Sequence, residues 1–186
     1  TLALVAFIFN TRFQSVWLCY AASAVPLTGQ LLWALWRVDH VLNRALIFGG
    51  LVGAAWPLGE AGVTAAFGWW GKYLAPGPMI LHTPVYCVLI GWLASTYLFF
   101  MGDRLAAMGM GLRPRVIATM SSAFLIGAIG ENLFVAANMW HYEPSWQDLG
   151  HVPAFVPVAY ALGYGVLPFL ASRTMPIAFA GWTLAT

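Results

Sequence analysis

Five apolar runs recur along this chain, each close to the roughly 20 residues that a helix needs to cross a bilayer. They cover residues 15–36, 45–68, 79–101, 116–138 and 152–171, separated by short polar breaks. Shorter apolar segments flank them at 1–9 and 176–186. No strand-like alternation competes with helices here. The expected fold is an all-α, polytopic membrane helix bundle of about five to seven transmembrane helices, one domain spanning 1–186. Composition agrees. Of 186 residues only eight are Lys or Arg and six Asp or Glu, and 61% are hydrophobic. A soluble domain carries about a quarter charged residues. A formal charge of +2 supplies no phosphate-binding stripe, so no nucleic-acid partner is expected. The apolar surface implies a bilayer partner, with room for an oligomer or larger membrane complex.

The few cations sort by position. Arg37 and Arg44 fall in the first internal break, Arg104, Arg113 and Arg115 in the third, and Arg173 after the last run. The alternate breaks hold only Lys72, or no Lys or Arg at all. The positive-inside rule places the Arg-rich breaks in the cytoplasm, as in a bacterial inner membrane, with Arg12 the one misfit. Asp39, Asp103, Glu143 and Asp148 read as solvated loop charges, with Glu143 and Asp148 near the outer mouth. Cys19 and Cys87 lie within apolar runs and read as small buried hydrophobes. The chain opens at Thr1 rather than Met, and 176–186 is too short to span. We read both ends as trimmed, with no recognisable signal peptide. Pro26 predicts a kink in the first run.

The two outer breaks repeat each other. Residues 59–92 read GEAGVTAAFGWWGKYLAPGPMILHTPVYCVLIGW, and 130–163 read GENLFVAANMWHYEPSWQDLGHVPAFVPVAYALG. Gly59-Glu60 matches Gly130-Glu131, Trp70 matches Trp140, and Tyr73 matches Tyr142. His82-Thr-Pro84 matches His151-Val-Pro153. The reading is a parallel internal repeat with copies at about 45–101 and 116–171. Each copy holds two spans, so both have one orientation. Glu60 and Glu131 then lie at matched depth, roughly 12 Å below their helix ends, and a pseudo-twofold axis brings them towards a common centre.

A carboxyl within a membrane span marks a functional site by default. Glu60 and Glu131 are therefore candidate catalytic acids, with His82 and His151 as candidates to orient or reprotonate them. Imidazole with carboxylate also suits Zn or Fe. No HxxxH or ExxH spacing is present, so neither metal nor other cofactor is expected. Trp56, Phe67, Trp69, Trp70, Tyr73, Phe134, Trp140, Tyr142 and Trp146 flank the glutamates. Trp56 and Phe134, at i−4 and i+3, share a helix face with their glutamate. Trp56, Phe67, Trp70, Tyr73, Phe134, Trp140 and Tyr142 are the candidate substrate-binding residues, since aromatic faces stabilise cations. Lys72, the lone lysine, falls in a loop, which argues against a Schiff base within a helix.

The pattern Glu60…Trp70-x-x-Tyr73…Pro78…Thr83-Pro84…Trp92 resembles microbial carotenoid-biosynthesis membrane proteins of the hydratase type. Glu131…Trp140-x-Tyr142…Val152-Pro153 resembles its second half. In size, span number and paired membrane acids the chain is also similar to the small membrane-bound terpene cyclases, although it lacks their Trp-Glu-Phe style signature. The resemblance covers about half the chain. It implies protonation of an isoprenoid double bond by a membrane acid, with an aromatic pocket sheltering the carbocation. The expected activity is that of an isoprenoid cyclase or hydratase, or a carotenoid-modifying lyase or isomerase, on a lipid-like isoprenoid. Two other readings stand beside it. One is a pigment- or lipid-binding accessory subunit, with His82 or His151 ligating a chlorophyll metal. The other is a small proton-coupled transporter.

Overall fold

A computed structural model describes residues 15–67, 71–73, 77–142 and 148–170. The expected segments 1–9 and 176–186, together with Arg12, Trp69, Trp70, Glu143, Trp146 and Arg173, lie outside the described residues. The fold is all-α. Among the described residues there are five helices: α1 (Val16–Arg37), α2 (His40–Phe67), α3 (Val85–Ala107), α4 (Leu112–Ala136) and α5 (Phe155–Gly165). The first four are long and apolar enough to cross a membrane, whereas α5, with a further turn to Leu170, is shorter.

Short caps hold successive helices antiparallel. Val38 takes the left-handed conformation (φ 49°) at the end of α1, and the Asp39 amide donates back to the Ala34 carbonyl at 3.2 Å. The Asp39 carboxylate then accepts from the Val41 and Leu42 amides at 3.1 and 3.0 Å, which caps α2. The first break thus shrinks to residues 38–39. Arg44, expected in that break, lies inside α2. Asp39 is a cap rather than a free solvated charge.

Asp103 departs further from expectation. It lies inside α3, is 5% exposed and pairs with Arg44 of α2. The apolar run that ends at Met101 hides a helix that continues for more than a turn. Burial of this acid is tolerated because its counter-charge comes from the neighbouring helix.

Among the described residues, six short strands join the other helix ends. They are β1 (Gly71–Tyr73), β2 (Met79–Ile80), β3 (Thr83–Pro84), β4 (Trp140–Tyr142), β5 (Asp148–Leu149) and β6 (Val152–Pro153). β2–β3 and β5–β6 are two-residue hairpins turning at Leu81-His82 and Gly150-His151. Leu81 (φ 55°) and Gly150 (φ 75°) supply the positive φ that such tight turns require. These hairpins consume residues that hydropathy assigned to spans. α3 therefore begins at Val85 rather than 79, and α5 at Phe155 rather than 152. Pro84 and Pro153 end the hairpins, and proline disfavours helix at the residue before it.

α2 packs mainly on α3 and α4 on α5, while α1 covers α3 and α2. β1 pairs antiparallel with β4, joining the two helix pairs at one end. The described Arg-bearing helix ends lie at the opposite end, where Arg37 sits 5.2 and 4.7 Å over the Trp33 and Trp36 rings.

Candidate functional site

The β1–β4 ladder orients the polar groups. Its register sets Tyr73 opposite Trp140 and Gly71 opposite Tyr142. Alternate residues of a strand face one way, so Tyr73, Trp140 and Tyr142 share one face and His141 takes the other. That shared face meets the glutamate-bearing ends of α2 and α4.

Glu131, near the end of α4, is 7% exposed and accepts three hydrogen bonds. Trp140 Nε1 donates to Oε2 at 3.1 Å, and Tyr142 Oη donates to the same oxygen at 2.7 Å. Tyr160 Oη donates to Oε1 at 2.6 Å. Glu60, near the end of α2, accepts from Tyr73 Oη on Oε1 at 2.7 Å and from Thr83 Oγ1 on Oε2. The Cys87 thiol in turn donates to Tyr73 Oη at 3.9 Å. Burial, then the neighbouring Cys87 and Glu60, pushes the Tyr73 hydroxyl far above the ordinary phenol range. Burial, then Glu131, does the same for Tyr142. Both phenols therefore stay neutral and remain donors.

Both carboxyls line one cavity of about 810 Å³ between the two helix pairs, in the size range of small-molecule sites. It follows α2 from Phe48 to Thr64, roughly 24 Å at the helical rise per residue. Trp56, Tyr73, Phe134, Trp140 and Tyr142, all singled out from sequence, line it. Phe134 stacks on Trp140 at 4.3 Å, and Tyr73 meets Trp140 edge-on at 5.6 Å. The Phe67 side chain and Trp70 lie outside the described residues.

His82 and His151 do not line the cavity. Both are exposed at the hairpin turns. Asn132 clamps the second turn: Nδ2 donates to the Leu149 carbonyl at 2.9 Å, and Oδ1 accepts from the His151 amide at 2.8 Å. The hydrogen-bonding places beside the carboxyls belong instead to Thr83, next to His82, and to Tyr160. Among the described residues, no three His, Cys, Asp or Glu side chains gather as a metal-binding group.

Sequence reading missed Thr83, Tyr160, Tyr164 and Cys87. Thr83 had a signal, since it sits within the His-Thr-Pro match. Tyr160 had none, because the residue 69 positions earlier, where the matched segments would put a counterpart, is Gly91. The packing explains the exchange. Gly91 of α3 lies under the Trp56 indole, where an added Cβ would be 3.6 Å from the ring. Gly127 of α4, equivalent to Trp56 at an offset of 71, lies under Tyr160, where an added Cβ would be 3.1 Å from Cγ. Each helix pair thus sets one aromatic ring over one glycine, on opposite partners. The two rings, Trp56 and Tyr160, meet at 5.7 Å across the cavity.

The chain matches no protein-family model, no curated protein and no solved structure.

Proposed function

We propose that this chain is a multi-pass membrane protein, as of a bacterial inner membrane, that converts an isoprenoid by acid catalysis. The observation that carries the reading is the pair of carboxyls, Glu60 and Glu131, on one elongated, aromatic-lined cavity. The four bilayer-length helices support the membrane assignment. The arginines gathered at the end away from the hairpins support a cytoplasmic orientation for that end. The matched Glu–Tyr bonds and the exchanged ring-over-glycine pairs support an internal repeat.

In this mechanism one carboxyl gives its proton to an alkene carbon of the substrate, leaving a tertiary cation at the neighbouring carbon. The faces of Trp56, Trp140 and Tyr160 stabilise that charge. A second double bond attacks the cation and closes a ring, or water adds to it. The other carboxyl takes the released proton. Tyr73 and Thr83 on Glu60, and Trp140, Tyr142 and Tyr160 on Glu131, aim the oxygens. Among the described residues, no Lys, Arg or His lines the cavity. An anionic head would thus be buried without a counter-charge, so the substrate is uncharged at its reacting end.

The test is turnover of uncharged linear isoprenoids by the protein in lipid nanodiscs, run in deuterated water. Cyclisation gives an isomer carrying solvent deuterium, and hydration adds one water. Glu131→Gln is expected to fold and lose turnover, and Glu60→Gln to lose most of it. Full turnover in both variants would sink the reading.

A further inference from the structure

The cavity opens sideways. Its exposed lining residues fall on two helices, Ala55 and Gly59 on α2 and Phe155, Ala159, Gly163, Val166 and Leu170 on α5 and its further turn. The α5 positions recur at three- and four-residue spacing, which places them on one face of that helix. α2 and α5 are not packed along their length, although each packs closely on its own partner, α3 or α4. They touch through Trp56 and Tyr160. What separates them is a slit whose middle is edged by the small residues Ala55, Gly59, Ala159 and Gly163, with Phe155 at one end and Val166 and Leu170 at the other, at the flank of a bundle whose long helices suit a bilayer. Its rims carry no charged side chain.

We propose that this slit is a lateral portal, through which a lipid-dissolved, uncharged ligand passes from the bilayer to the carboxyl pair. The proposal rests on the reading of the cavity as a site for lipid-like molecules, and it adds the route. The physical argument is desolvation. An apolar chain entering from the hydrocarbon loses no favourable environment, whereas passage through water would first expose its whole surface. In the middle of the slit the small side chains of Ala55, Gly59, Ala159 and Gly163 keep it wider than leucine-sized ones would. The aromatic pair behind the rim, Trp56 and Tyr160, is the first structure the incoming chain meets, and Tyr160 already holds Glu131.

Two rim glycines make the portal testable. A Cβ added at Gly59 or Gly163 meets nothing within 4 Å, so larger side chains there need no backbone shift. Their neighbours Leu58 and Leu162 are 68% and 61% exposed and do not line the cavity, so they serve as matched controls. The reagent is dicyclohexylcarbodiimide, which is lipid-soluble and adds as a whole molecule to a carboxyl. The carboxyl O–H adds across a C=N bond, and the O-acylurea rearranges to a stable N-acylurea. The mass gain on the Glu60 and Glu131 peptides is read by mass spectrometry with the full chain in lipid vesicles. No turnover is needed, so this measurement stands or fails separately from the isoprenoid assay.

The expected result is labelling of the native protein. Gly59→Trp and Gly163→Trp should slow it roughly tenfold, equivalent to an added barrier of about 1.4 kcal/mol. Leu58→Trp and Leu162→Trp should leave it unchanged. Ala159→Phe gives a second block if a tryptophan variant fails to elute as a single species. The proposal is overturned if the native carboxyls do not react, or if a water-soluble carbodiimide labels them faster. It is overturned equally if the rim and control variants behave alike.

Discussion

Glu131 offers the sharpest test of how the site is held. Its two oxygens accept three hydrogen bonds, two on Oε2 and one on Oε1. Consider Glu131→Gln. The Trp140 indole can only donate, so the new amide must turn its oxygen towards Trp140 and Tyr142. The amide nitrogen then faces Tyr160, whose hydroxyl can accept as well as donate. All three partners stay satisfied at the cost of weaker, uncharged bonds, about 1 kcal/mol in total. Glu131→Ala strands all three donors in a buried place, and each unsatisfied donor costs about 1–3 kcal/mol. A loss of at least about 3 kcal/mol is expected, with the emptied volume adding to it. The assay is reversible unfolding in detergent micelles, run as a double-mutant cycle with Tyr160→Phe. Removing that hydroxyl should cost about 1–3 kcal/mol beside Glu131 and roughly 1 kcal/mol less in the Glu131→Gln background. Equal stability of the Ala and Gln variants, or a costless Tyr160→Phe, would refute the wiring.

Three other outcomes follow from separate parts of the structure. Gly150→Ala should destabilise by about 2–4 kcal/mol, because its φ of 75° suits glycine and its Cβ would lie 2.4 Å from Asn132 Oδ1; hydrogen exchange at the His151 amide should rise with it. Asp103→Ala should cost about 3–5 kcal/mol by stranding Arg44, and Arg44→Leu in the same chain should recover most of that in a thermal melt. The raised Tyr73 and Tyr142 give stability a pH dependence of known sign. Below about pH 10 both states hold the phenol protons and stability is flat; above it the unfolded chain releases them first, so stability falls by about 1.4 kcal/mol per pH unit per tyrosine. Tyr142→Phe should reduce that alkaline slope by about 1.4 kcal/mol per pH unit.

Much of the site was legible because it is local. Glu131, Phe134, Trp140 and Tyr142 lie within a dozen residues, and the helix period alone sets Phe134 on the face of Glu131. Trp56 and Glu60 are related in the same way by the helix period, with Tyr73 thirteen residues after Glu60. The hairpins were not legible, since hydropathy averages over windows longer than a two-residue turn and reads Met79–Ile80 as part of a span. Asp103 misled for a related reason. Its position past an apolar run looks like a loop, and only Arg44 on another helix makes its burial tolerable.

What the sequence by itself determined is therefore the helices of bilayer-spanning length and the two Glu–aromatic–Tyr clusters, because span length and residue periodicity are properties of one segment at a time. The tertiary structure decided that the two carboxyls face one cavity, that Thr83 and Tyr160 rather than His82 and His151 stand beside them, and that the cavity opens between α2 and α5. Those facts depend on how one helix pair is rotated against the other. That rotation is set where the pairs meet, at the β1–β4 ladder and where the Trp56 ring packs against Tyr160. No segment carries the shape of its partner.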